Sequence, residues 1–251
     1  MMSAARPLAA LVAGAAALFA ASCGQQESSA GGPTAAVTPV LTDVTMGQAT
    51  APVEIIEYAS FTCPHCRDFY KQDFPRLKAN YIDTGKVKYI YRDFPTDPQL
   101  AVMLISVSRC KGASVYYDVV DDIFSHQVEL YEAASQGKVG PMLVEMGQRH
   151  GIAEPELRAC LTHKGINDAL NKTIEGGRAK GVEDTPTVFI NGVKQNDHRY
   201  EVMSAQIDKA LKGETLTASP AGPEGTGTPA TTTPATGAPV APATPQPAPT
   251  N

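Results

Sequence analysis

An apolar strand that runs straight into two cysteines spaced by two residues constrains this chain more than any other feature. The segment reads Glu57-Tyr58-Ala59-Ser60-Phe61-Thr62-Cys63-Pro64-His65-Cys66. If Cys63 opens a helix, its sulfur sits among backbone N–H groups that have no intrahelical partner, at the positive end of the helix dipole. The thiolate is then favoured over the thiol. Pro64 falls in the first turn, where a missing N–H costs nothing, and His65 adds a second stabilising charge. A dithiol whose reduced form is favoured in this way readily passes its oxidation to another protein.

The ends of the chain bear on how those cysteines are used. Met1 to Pro7 carries one positive charge, at Arg6, and Leu8 to Ala21 is an uninterrupted run of apolar and small residues. Residues 1–22 therefore read as an export signal, whose apolar run Leu8 to Ala21, 14 residues, is too short for a comfortable membrane span of roughly 20 residues. The run Ala20-Ala21-Ser22-Cys23 resembles a bacterial lipoprotein processing site and points to lipidation of Cys23; ordinary signal cleavage, with Cys23 a stray thiol, is the alternative. Disulfides persist in the oxidising compartments that export reaches. Of five cysteines, Cys23 takes the lipid and Cys63 and Cys66 form the motif, leaving Cys110 and Cys160 either bonded to each other or as two buried free thiols. A net charge of −5 gives no electrostatic footprint for nucleic acid.

Residues 23–41 are rich in Gly, Ser, Ala, Thr, Pro and Gln, and residues 213–251 in Pro, Thr, Ala and Gly. Neither can bury enough surface to offset its ordering entropy, so both are expected to be disordered, the first as a tether from Cys23. Between them Val53 to Tyr58 reads as a buried strand, followed by a helix marked by Phe69, Phe74 and Leu77, and by a second strand over Val87 to Tyr91. That β-α-β unit predicts parallel strands joined by a right-handed crossover. From Asp97 to Gly181 the spacing is helical, as in Val115, Val119 and Ile123, or Leu157 and Leu161. Thr187 to Val193 then reads as a strand with an Asn191-Gly192 hairpin turn, and Met203, Ile207 and Leu211 line a closing helix.

A strand into Cys-Pro-His-Cys, a second strand, a helical insertion, then Thr185-Pro186 before a hairpin and a final helix resembles the DsbA family of thioredoxin-fold proteins. The resemblance spans about Thr42 to Lys212. It implies an α/β fold of thioredoxin type in two parts, residues 42–96 and 182–212, with residues 97–181 inserted as a helical domain. It further implies that Cys63 and Cys66 interconvert between dithiol and disulfide, with Cys63 the exposed nucleophile and Cys66 the buried partner. Pro186 would be the family's cis-proline; only proline adopts a cis bond cheaply. Thr185, Pro64 and Phe61 would bind client, Thr185 through its backbone as an added strand does. Glu57 occupies an inward strand position where related folds place a carboxylate that exchanges protons with the second cysteine; a pair with Lys88 or Arg92 is its structural alternative. His65 would tune the thiol. Bonding of Cys110 to Cys160 would be structural. His126, His150, His163 and His198 show no recurring partners and read as solvated surface.

Partners implied are exported proteins with reduced cysteines and a membrane thiol oxidase that restores the disulfide. The chain would act as a monomer, without cofactor, in the periplasm or on the outer face of the envelope, held there by lipid. A disulfide isomerase or reductase is the rival, kept alive by Thr185 but lacking the preceding domain through which such isomerases dimerise. Zinc is disfavoured because Cys110 and Cys160 do not form a close pair, and c-type haem because Arg67 follows Cys66 where a histidine is required. A non-catalytic envelope lipoprotein with a static Cys63–Cys66 bond completes the alternatives.

Overall fold

The computed structural model describes residues 37–219. The expected export signal, Cys23 with its lipidation site, most of the tether and the tail beyond Ser219 lie outside the described residues.

The sheet is built around β2 (Val53–Ala59), whose β-branched residues suit a strand covered on both faces. It pairs in parallel with β3 (Val87–Asp93), with Glu57 level with Tyr91, and antiparallel with β4 (Thr187–Ile190). The edges are β1 (Thr45–Met46), antiparallel to β3, and β5 (Val193–Gln195), antiparallel to β4. The order is β1-β3-β2-β4-β5. Asn191 and Gly192 both have positive φ, at 45° and 80°, as the tight hairpin turn between β4 and β5 requires. The two residues of β1 were not foreseen, because so short a strand shows no alternation.

Between β2 and β3 run α1 (Pro64–Gln72) and α2 (Phe74–Leu77), offset at Asp73 where Pro75 interrupts the hydrogen-bond ladder, and a π-helical turn over Lys78–Ile82. Six helices follow β3: α3 (Pro98–Arg109), α4 (Ala113–Ser125), α5 (Gln127–Ser135), α6 (Val139–Arg149), α7 (Glu154–Leu161) and α8 (Lys164–Ala179). Asp97 caps α3 by accepting from the N–H groups of Gln99 and Leu100. A disulfide between Cys110, at the end of α3, and Cys160, in α7, fastens the block, with Cα atoms 5.6 Å apart. One continuous core runs from Ile55 and Tyr89 of the sheet through Phe69 and Phe74 to Leu104, Tyr116, Phe124 and Leu157 of the helices. On the other face Tyr58, Val182 and Phe189 form a small cluster of their own. There α8 comes so close that a Cβ on Gly177 would lie 2.9 Å from the Tyr58 ring. Helix α9 (Tyr200–Leu211) closes the fold.

Both expected boundaries need correction. Residues 37–41, assigned to the tether, are tied to the core: Val37 and Val40 pack on it, and the Val40 N–H donates to the Arg109 carbonyl at 2.8 Å. Arg109 explains the anchoring. Its guanidinium is buried against Asp93 at 2.6 Å and donates onward to the carbonyls of Val40 and Thr42. Residues 214–219, assigned to the tail, also dock: Leu216 packs on the core, and the Ser219 hydroxyl accepts from the N–H groups of Asn196 and Asp197. Among the described residues no helix is long and apolar enough to cross a membrane.

Candidate active site

Cys63 occupies the N-cap of α1 with extended backbone angles (φ −86°, ψ 120°), and Pro64 takes the first helical turn. The loop that delivers it is fastened from behind. The Cys63 N–H donates to the Ser60 carbonyl at 3.1 Å. The hydroxyls of Ser60 and Thr62, both buried, and of the exposed Thr96 form a hydrogen-bonded cluster. Gln127, the first residue of α5, donates its side-chain amide to the carbonyls of Phe61 (2.8 Å) and Cys63 (3.0 Å), so the helical block holds the redox loop directly.

Across the sheet end, the Thr185–Pro186 peptide bond is cis, and the Cys63 sulfur lies 3.3 Å from the Thr185 carbonyl oxygen, to which only its protonated form donates. Cys63 and Cys66 are both free thiols, and Cys66 is fully buried as expected, but Cys63, expected as an exposed nucleophile, is only 6% exposed with its sulfur against the Thr185 carbonyl. The Cys63 thiol is lowered to about 5. The Cys66 side chain is the largest cause, and the Thr185 side chain and the N–H groups of Cys66 and His65 add to it against the cost of burial. Burial pushes the Cys66 thiol far up, and the neighbouring Cys63 and Glu57 add to the effect. One sulfur is thus an anion at neutral pH while the other holds its proton, the division of labour that exchange through a mixed disulfide needs. His65 itself is exposed, and its contribution to the thiolate is its backbone N–H.

Glu57 is 1% exposed, and burial raises it to about 8; the Tyr89 hydroxyl, donating to its carboxylate, opposes that rise. The alternative pairing is contradicted: Lys88 pairs with Glu54 at 3.0 Å and Arg92 with Asp43 at 2.7 Å, because both point to the opposite face of β3. Phe61 also needs correction. It is 1% exposed, stacked on Tyr91 with centroids 5.2 Å apart and against Phe124, so it belongs to the core and presents nothing to a client. Pro64, by contrast, is exposed and borders a groove of about 390 Å³ with Thr62, Arg67, Val128 and Tyr131.

The expectation of four solvated, partnerless histidines holds only in part: the His126 side chain is 44% exposed and His163 half-buried, but three of the four have partners. His126 and His150 both meet the Asp122 carboxylate at 2.8 Å. His198 stands edge-on to Phe69 at 5.6 Å, and burial lowers it. Sequence reasoning also missed Tyr89 and Gln127. Strand alternation could have suggested Tyr89, which shares the face of β3 that Tyr91 presents beside Glu57. No local signal marks Gln127.

Residues 40–209 match the family profile described as Thioredoxin. A Rickettsia typhi protein provisionally named a protein-disulfide oxidoreductase is 33% identical over 178 residues, which are 69% of this chain and 63% of that one. The crystal structure of Wolbachia pipientis alpha-DsbA1 superposes with a TM-score of 0.62 at 27% identity, covering 70% of this chain and 94% of that one. The chain belongs to the DsbA-like thioredoxin family. BdbD of Bacillus subtilis, at 21% identity and a TM-score of 0.54, shares the DsbA-like fold. The chain spans less than two thirds of the length of the Rickettsia relative.

Proposed function

We propose that this protein is a thiol-disulfide oxidoreductase that introduces disulfides into exported proteins through Cys63 and Cys66. The observation that carries this reading is the placement of Cys63 at the open N-terminus of α1, beside a cis-proline and over a buried second thiol. In the oxidised enzyme a client thiolate attacks the Cys63 sulfur. The Cys63–Cys66 bond breaks, Cys66 leaves as a thiolate and takes up a proton, and a client–Cys63 disulfide forms. A second client thiolate then attacks the client sulfur and expels Cys63 as the thiolate that the helix amides stabilise. Glu57 is the proton carrier for Cys66, since burial gives it a carboxyl that titrates near neutral pH. The backbone beside Pro186 receives the client as an added strand. Reoxidation falls to a membrane thiol oxidase, and lipidation of Cys23 after export would hold the monomer at the envelope.

The test is oxidation of a reduced, unfolded client by the oxidised protein. Cys63→Ser abolishes it, and so does Cys66→Ser, which cannot store the oxidising disulfide; offered a client that already carries a disulfide, Cys66→Ser traps the client–Cys63 mixed disulfide. Retention of activity by Cys63→Ser overturns the reading. Thr185 before the cis-proline keeps the isomerase or reductase alternative open, and equilibration with a glutathione buffer separates the two: a potential as low as that of thioredoxin, about −270 mV, excludes the oxidase.

A further inference from the structure

Glu57 has a single hydrogen-bond donor among the described residues, the Tyr89 hydroxyl. Tyr89 lies on β3, one strand away, and is fully buried. Its ring is fixed between Phe74 of α2, at 4.7 Å, and Tyr117 of α4, at 6.1 Å. The Tyr117 hydroxyl in turn donates to the Val44 carbonyl at 2.7 Å and accepts from the Tyr91 N–H at 3.2 Å, which pins it to β3. The phenol therefore reaches the carboxylate from a rigid frame. The titratable groups facing Glu57 are Tyr89 and Tyr91 from β3, Cys63, Cys66 and Tyr70 from the start and body of α1, and Tyr117 from α4. From β4 the opposing residue is Val188. No cation is among them, so the phenol is the group that steadies the negative form of Glu57.

We propose that Tyr89 is a positioning residue for proton transfer at Cys66: its hydroxyl holds Glu57 as an oriented carboxylate that can take the Cys66 proton. The inference rests on the redox reading above and deepens it. When the enzyme is reoxidised, Cys63 is first joined by a disulfide to the oxidant. Cys66 passes its proton to Glu57, its sulfur attacks Cys63, and the oxidant's sulfur leaves with the bonding pair as a thiolate. In client oxidation the order reverses, and protonated Glu57 returns the proton to departing Cys66. Tyr89 neither gains nor loses a proton in either direction.

Reaction of 5,5′-dithiobis(2-nitrobenzoate) with the protein reduced at Cys63 and Cys66, its Cys110–Cys160 disulfide intact, separates the steps, because attack by Cys63 releases one coloured thiolate and attack by Cys66 on the mixed disulfide releases a second. Tyr89→Phe removes a hydrogen bond to a charged group. It is expected to move the pH midpoint of the second release upward by about one to two units, and to slow that release about tenfold or more at pH 7. The first release keeps its wild-type profile. In a Glu57→Gln background Tyr89→Phe adds no shift. A second-release profile that does not move, or that moves equally without Glu57, overturns the proposal. Should Tyr89→Phe fail to fold, 3-fluorotyrosine at position 89 decides: a stronger donor of the same shape is expected to move the midpoint downward, and an unmoved midpoint overturns the proposal. Failure of the redox reading shows elsewhere, as client oxidation that survives Cys63→Ser.

Discussion

The sulfur of Cys63 lies 3.3 Å from the carbonyl oxygen of Thr185 although 122 residues separate them in sequence. The contact places the reactive thiol against the one cis bond among the described residues, Thr185–Pro186. A client sulfur bonded to Cys63 would thus be delivered beside backbone that can pair with its flanking residues.

The thiolate of Cys63 is expected to form with a midpoint near pH 5, while Cys66 stays protonated throughout the neutral range. Ultraviolet thiolate absorbance of the reduced protein, compared with Cys63→Ser, measures this. A single transition above about pH 7 would mean that the helix amides do not stabilise the anion and would remove the basis for a strong oxidant.

Glu57 gives the reduced protein, in which both thiols are free, an opposite dependence. Its carboxyl is about 8 when folded against 4.5 for the free group, so between those values the folded chain binds a proton that the unfolded chain has lost. Stability from this group is complete at pH 4 and falls as pH rises through 8. Glu57→Gln should flatten the decline in urea unfolding between pH 5 and 8. An unchanged slope would place the titration elsewhere.

Asp93 and Arg109 form a buried pair in which, among the described residues, the Asp93 carboxylate has no other cation and one oxygen has no partner. Arg109→Met should cost about 3–5 kcal/mol, because it strands a buried charge. It also frees the carbonyls of Val40 and Thr42, so residues 37–41 should gain hydrogen exchange. Adding Asp93→Asn should restore part of the stability. A loss under about 1 kcal/mol for Arg109→Met would show that the pair is dispensable.

The Cys110–Cys160 disulfide closes a loop with a sequence separation of 50. Chain entropy assigns such a loop about 4 kcal/mol. The double replacement Cys110→Ala, Cys160→Ala should lower the urea midpoint accordingly yet leave the Cys63 thiolate titration where it was, since the bond joins α3 to α7 and not the redox loop. A shifted thiolate midpoint would show that the helical block transmits strain to the site.

Much of the site was legible because its chemistry is local. A β-branched strand, a cysteine before a proline at a helix start and the Asn191-Gly192 turn each act within a few residues through backbone sterics and unpaired amides. The inward position of Glu57 followed from alternation along one strand. What alternation could not supply was the partner, since Tyr89 and the neighbours Lys88 and Arg92 compete until β3 is set in register and the pleat turns the two cations away. Phe61 was misjudged for the same reason: proximity to Cys63 in sequence says nothing of the Phe124 and Tyr91 rings that enclose it. Gln127 and His198 came from distant helix and loop. The sequence by itself determined where the sulfurs and the prolines lie along the chain and which helix end would hold an anion, because those depend on bonds between near neighbours. Only the tertiary structure decided which carbonyl, phenol and amide surround them, because burial and long-range hydrogen bonds exist only once separate elements have packed.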